Sequence, residues 1–329
     1  MKTSHFSVNL NYKHVAISDI GQSFTWSNIK INPLNCFLIS IFSLSFIFYN
    51  IVLFPHNFSH LKMNEPKKDL DLPQQLLNEF SIKVEVFGTT ILATRGVSKE
   101  KIMHAAKVMA GYIDSNDDGI PNNIDVAHAL KKCILIITKN EKETDRIMTK
   151  MENIWLFNQF EIPYIQDLSS DEMVISNGRN GKFDASLEEI LHLVTQGYFS
   201  VFPTLKRSVL KSMDNARGGQ FKTVPNKYPY GSWYTYYDKT CDYEECMSTE
   251  YFYWGLTSLL GAQKFDGRLD DIIDEWQLNT PSKLKKGDPM LYSILTDKRY
   301  QLPNTLPNDK YQSKKFKIMH LKKKKEVGG

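Results

Sequence analysis

Apolar and polar residues alternate over Ile82-Lys-Val-Glu-Val-Phe87, and the alternation stops at Gly88. A period of two marks a strand with one buried face, and Thr90–Thr94 supplies a second run to pair with it as a hairpin. The period then lengthens. Ile102, Ala105, Ala106 and Met109 recur at helical spacing behind Ser98, which predicts a capped helix over 98–112. Residues 132–138 read as a short apolar strand and 141–152 as a charged helix. A further helix is expected over 185–194, started by Asp184. A strongly apolar one follows over 250–260, ended by Gly261, and a short one over 270–276. Arg217-Gly-Gly219 breaks the pattern before an aromatic loop, and no internal repeat is evident. The mixture predicts an α+β domain with more helix than strand.

The longest apolar run lies elsewhere. Cys36 to Phe54 is nineteen residues without a charge, dominated by Phe, Ile, Leu and Val and ended by Pro55. That length crosses a bilayer as a helix, and the run has no polar side to face water as a core helix would. About 35 residues precede it, more than a usual signal peptide carries, so an uncleaved signal anchor is expected. Lys30 precedes the run and Lys62, Lys67 and Lys68 follow it, so flanking charge does not set the orientation. The expected organisation is a polar segment (1–35), a transmembrane anchor (36–54), a linker (55–75), a folded domain (76–305) and a basic disordered tail (306–329). The membrane is the partner implied by 36–54. The Asn57-Phe-Ser59 sequon, and the close spacing of Cys241 and Cys246, favour a lumenal or extracellular C-terminal domain, secreted if the anchor is cleaved. A disulfide between the two cysteines would close a small loop; the alternative is two free thiols in a reducing compartment. Cys133 reads as a buried strand thiol.

Charge narrows the function classes. The net charge is +4, but residues 310–329 hold eight Lys and one Glu, leaving residues 1–309 at about −3. A near-neutral body excludes a nucleic-acid-binding face, and the tail reads as solvated.

Two motifs carry candidate chemistry. Asp114-Ser-Asn116-Asp-Asp118-Gly119-Ile120-Pro-Asn122-Asn-Ile-Asp125 places oxygen ligands at alternate positions, then a glycine, a backbone carbonyl at Ile120 and a terminal carboxylate. That is the EF-hand ligand order, with Asp125 in place of the usual Glu. It predicts a Ca2+ clamp over 114–125 held by Asp114, Asn116, Asp118, the Ile120 carbonyl and Asp125. The segment resembles the calcium loops of extracellular thrombospondin type 3 and dockerin-like repeats. An Asx-rich turn that binds nothing is the alternative.

The second motif is Glu188-Glu189-Ile-Leu-His192, an EExxH in which Glu replaces the first histidine of the zinc-protease pattern HExxH. On a helix, Glu188 and His192 share a face. Glu189 holds the place of the general base. Catalytic zinc needs three protein ligands, and Glu250, at the start of an otherwise apolar helix, is the candidate third. A carboxylate there would also stabilise the helix N-terminus without any ion. Two carboxylates and one neutral imidazole cancel the charge of a divalent ion, so a bound water is acidified less. Such a set leans from Zn2+ toward Mn2+, Mg2+ or Ca2+.

With these residues in view, the chain resembles the zincin metallopeptidases of the anthrax lethal factor type over roughly residues 80–265. In that family an HExxH helix precedes a downstream helix bearing a Glu ligand within an aromatic segment. A Tyr seven residues before that Glu assists catalysis, and Tyr243 stands seven before Glu250. Thr94-Arg-Gly-Val97 and the alanine-containing helix after it also resemble that domain's opening. The resemblance implies a degenerate zincin-like domain: Glu188, His192 and Glu250 as metal ligands, and Glu189 and Tyr243 as catalytic groups. The blocks from Phe183 to His192, Ala216 to Phe221 and Trp233 to Ala262 further resemble a group of uncharacterised secreted proteins, which implies no function. A metallopeptidase and a pseudoenzyme both fit. The other class is a calcium-stabilised ectodomain that binds a peptide or glycan partner through the loop from Tyr228 to Tyr237.

Overall fold

The hairpin forms as its pattern demands. The computed structural model describes residues 72–158, 164–175 and 182–322. The expected anchor at 36–54 lies outside them, and among the described residues no helix is long and apolar enough to cross a membrane. A short helix α1 (Gln74–Leu77) leads into β1 (Phe80–Val86) and β2 (Thr89–Thr94), which pair antiparallel from Val86↔Thr89 onward. Phe87 and Gly88 both have positive φ (50° and 90°), as a two-residue turn matched to the strand twist needs. Helix α2 (Lys99–Ile113) starts where Ser98 accepts a hydrogen bond from the Lys101 amide. Helix α3 (Ile124–Leu130), β3 (Cys133–Thr138), α4 (Glu141–Asn158) and β4 (Tyr164–Ser169) follow.

With a late strand β5 (Met319–His320), the strands form one five-stranded sheet of order β4-β3-β2-β1-β5, with β2, β3 and β4 parallel. Parallel neighbours need crossovers, which α2 with α3, and then α4, provide. Both faces are covered, so all six residues of β3 are buried. Alternation assigns Cys133, Leu135 and Ile137 to the core shared with α2 and with α5 (Ser186–Val201). Cys133 pairs with Tyr164, Leu135 with Gln166 and Ile137 with Leu168, so Gln166 is a polar group on that same inner face.

The second half is helical: α5, α6 (Pro203–Ala216), α7 (Cys246–Leu260), α8 (Arg268–Ile272), α9 (Pro281–Gly287) and α10 (Pro289–Leu295). Every residue of α7 from Met247 to Ser258 is buried, because α5, α6, α9 and α10 surround it. A helix that is apolar all round must be central, and each fully buried large side chain contributes roughly 1.5–3 kcal/mol. Gly261 ends α7 in the left-handed region (φ 84°). The α+β class holds, with ten α-helices among the described residues.

Two expected boundaries move. The folded part reaches back to Leu72, with Leu76 fully buried. The tail expected to be disordered from 306 is folded through residue 322: Tyr311 is buried, and β5 (Met319–His320) pairs antiparallel with Ile82 and Lys83 of β1. Strand pairing there runs through backbone groups, so a lysine-rich sequence gives no sign of it.

Candidate metal centre

Asp184 fixes where α5 begins. Its carboxylate accepts hydrogen bonds from the backbone amides of Val174 and Ser186, and its other oxygen lies 2.6 Å from Nε2 of the buried His104 on α2. Tyr112, also on α2, donates to the Leu187 carbonyl. These contacts set the rotation of α5, and its first two turns carry Glu188, Glu189 and His192.

Helix α7 packs against α5 and brings Glu250 to the same place. Glu188, His192 and Glu250 each offer one ligand atom, and the three atoms lie within 4.8 Å of one another. Among the described residues no other trio of acidic, histidine or cysteine side chains converges in this way. His192 Nε2 lies 3.4 Å from a Glu250 oxygen. Ligand atoms on a tetrahedral ion with ~2.1 Å bonds stand about 3.4 Å apart, so the spacing needs only side-chain adjustment to close on an ion. Nε2 is fully buried and makes no hydrogen bond, although such atoms are normally satisfied. The contact with Glu250 is therefore electrostatic. An ion between the carboxylates would satisfy the nitrogen.

The electrostatics agree. Burial pushes the His192 pKa down, but Glu250 and Glu189 outweigh it and hold the imidazole up at about 10. In the metal-free protein a proton stands in for a cation among three carboxylates. On the other side, His192 Nδ1 lies 3.4 Å from a Glu189 oxygen that also accepts a 2.6 Å hydrogen bond from Gln166 Nε2 on β4. The Tyr253 ring on α7 meets His192 edge to face at 5.4 Å. Burial raises the Tyr253 hydroxyl well above its ordinary pKa, and its hydrogen bond to Glu188 adds to the rise.

Of the phenols expected at the site, Tyr236 reaches it: its hydroxyl lies 3.4 Å from Glu250 Oε1. The Tyr243 hydroxyl is held elsewhere, at 2.9 Å from both Asp214 oxygens and 3.3 Å from Gln220. Its neighbour is Arg217, a fully buried guanidinium caged by Phe221, Tyr228 and Tyr243. Most of the aromatic loop is core: Tyr228, Tyr234 and Tyr236 are buried, whereas Tyr230 and Tyr237 are exposed. Cys241 and Cys246 are disulfide-bonded, with Cα atoms 5.3 Å apart, at the start of α7. Sequence reading missed His104, Gln166 and Tyr253. A polar residue inside an apolar strand face would have marked Gln166, had β4 been recognised.

The 114–125 loop is built differently. The fully buried Asp114 carboxylate accepts from the backbone amides of Asp118 (3.3 Å) and Gly119 (2.7 Å) and from the Tyr311 hydroxyl (2.8 Å). Asp118 accepts from the Ile120 amide and from the Asn116 side chain. The Asn122 carboxamide oxygen turns inward to Ser115, and Asp125 is exposed in the first turn of α3. Gly119 supplies the left-handed residue (φ 86°) that the bend requires. Asp114, Asp118 and Asp125 do not form a second convergent trio.

No protein-family model, curated protein or solved structure matches the chain.

Proposed function

We propose that this is a zincin-like metal-dependent hydrolase domain of the EExxH kind, acting on peptide bonds. The observation that carries the reading is the convergence of Glu188, His192 and Glu250 from two separate helices within 4.8 Å. Their formal charge matches one divalent cation, Zn2+ or Mn2+ by donor type. A bound ion would polarise a carbonyl and acidify a water. Glu188, His192 and Glu250 would hold that ion, and Tyr236 lies against Glu250. The order of an EExxH helix followed by a helix with a Glu ligand is the one the zincin resemblance calls for. The segment 36–54 would tether the domain to a membrane, with the disulfide-bearing side lumenal or extracellular.

A non-catalytic reading has its own support. The Tyr243 hydroxyl, the expected oxyanion donor, is engaged by Asp214, and Tyr230 and Tyr237 stand exposed for a peptide or glycan partner. In that reading the 114–125 loop binds Ca2+ as a clamp, and Asp114 already has the buried, amide-supported geometry of a first EF-hand ligand.

One experiment separates the two: the metal content of the purified chain, then digestion of a broad peptide library with Zn2+ or Mn2+ restored. Stoichiometric metal with cleavage that a chelator stops supports the hydrolase. Metal without cleavage supports the binding domain, and absence of metal overturns the centre.

A further inference from the structure

We infer that Glu189 is a positioning residue for His192, fixing which imidazole nitrogen faces the metal, and is not solely the water-activating base that its place in the EExxH pattern suggests. The inference rests on the metal-centre reading above. It starts on β4, where Tyr164 and Gln166 project toward α5. The Tyr164 hydroxyl donates to Gln166 Oε1 at 3.3 Å. The phenol could donate or accept, but a carboxylate only accepts, so Glu189 sets the Gln166 carboxamide with Nε2 toward it and Oε1 toward Tyr164. Nε2 donates to Glu189 Oε2 at 2.6 Å, in a contact buried on both sides. The same Oε2 stands 3.4 Å from His192 Nδ1.

A carboxylate cannot donate, so the nitrogen facing it must carry the proton. Both ring nitrogens face a carboxylate at 3.4 Å, so both carry a proton in the imidazolium; an ion taken up on the side of Glu250 and Glu188 would displace the Nε2 proton and leave Nδ1 as the N–H held by Glu189. The chain Tyr164, Gln166, Glu189, His192 is a carboxylate–histidine relay, in which the outer carboxylate sets ring orientation and raises ligand basicity. Gln166 and Glu189 are each 6% exposed, so water competes little for either group. To serve as base, Glu189 would also have to turn from Gln166 toward the open side of the ion.

The test is Zn2+ affinity of the full-length chain, measured by competition with a chromophoric chelator, for wild type, Glu189→Gln and Gln166→Leu. A positioning role predicts that Glu189→Gln weakens Zn2+ binding roughly 10–100-fold. Gln166→Leu should weaken it several-fold while leaving the Glu189 carboxylate in place. In 15N-histidine spectra of the Zn2+-loaded wild type, His192 should show a protonated Nδ1. A residue acting only as base would leave Zn2+ affinity unchanged in Glu189→Gln and remove only turnover. Unchanged affinity, or a His192 protonated at Nε2 in the loaded protein, overturns the inference and spares the metal centre. A wild type that binds no Zn2+ overturns both. Should Glu189→Gln fail to fold in the absence of metal, Gln166→Leu and the histidine spectra decide alone.

Discussion

Two acidic clusters in this chain have ligand spacing in their sequence, and the fold treats them in opposite ways. In the loop of 114–125 the carboxylates are answered by the protein itself: backbone amides and the Tyr311 hydroxyl on Asp114, and the Ile120 amide on Asp118. Between α5 and α7, three carboxylates gather around one histidine. Among the described residues no guanidinium or ammonium group is ion-paired with Glu250, and the Nε2 of His192 makes no hydrogen bond. An acidic cluster already satisfied by amides has less need of an ion. A buried one gathered around a protonated histidine can exchange that proton for a metal.

The largest effect should come from deleting the proton carrier. His192→Ala removes the imidazolium that Glu189 and Glu250 face at 3.4 Å. Breaking a buried pair by removing one partner costs about 3–5 kcal/mol. Urea unfolding in chelator should show that loss in full near pH 6, and it should shrink toward pH 9 as folded His192 approaches its raised pKa. An equal, small loss at both values would mean that the cluster is solvated and the contrast with the loop is false.

The pH dependence of metal binding sharpens the same point. The folded pKa of His192, about 10, is raised above its unfolded value of about 6.5. Its contribution to metal-free stability is therefore fully present below about 6.5 and is lost as pH rises through about 10. Metal binding at Nε2 must expel that proton, so apparent Zn2+ affinity should rise about tenfold per pH unit from about 6 to 8. Calorimetry in buffers of different ionisation enthalpy should count one proton released per ion. Binding of Ca2+ to the 114–125 loop should lack that slope, since no histidine is among its candidate ligands.

How much of this was legible follows the same division. Elements with a strong local signal were readable: the Ile82–Val86 alternation, the Ser98 cap and the Gly261 stop all stand in the structure. So was the trio Glu188, His192 and Glu250, because helical spacing and an isolated acid in an apolar helix are sequence features. Strand β4 was not, since Tyr164-Ile-Gln-Asp-Leu-Ser169 mixes polar residues into a buried face and borrows its order from β3. Helix α6 hid its start behind Pro203, a residue favoured in a first turn but equally common in loops. Gln166 and Tyr253 reach the site across the fold, and only tertiary packing could name them.

Ligand identity offers a narrower break. Glu188→His restores the HExxH order on a helix already aimed at Glu250. A second imidazole removes one negative charge and favours zinc over oxygen-seeking ions. Zn2+ affinity should rise about tenfold, and Mn2+ affinity should fall. Were Glu188 only part of the α5 N-terminus, the change would cost the few tenths of a kcal/mol that a first-turn acid contributes and alter no metal affinity.

The smallest effect belongs to the loop. Asp118 is exposed, and its carboxylate accepts from the Ile120 amide at 2.8 Å and the Asn116 side chain at 2.7 Å. Solvent can replace both bonds, so Asp118→Ala should cost about 1 kcal/mol or less in chelator. Asp114 keeps its backbone amides and Tyr311, and Asp117 keeps its bonds to the Gln312 and Ser313 amides, so the segment around Tyr311–Ser313 stays docked. If the loop is a calcium clamp, wild type should melt higher in millimolar Ca2+ than in chelator, and Asp118→Ala should melt at the same temperature in both. Identical wild-type melts would leave a self-satisfied turn. That outcome would complete the contrast, because the cluster that looked most like a metal site in sequence would be the one that needs no ion.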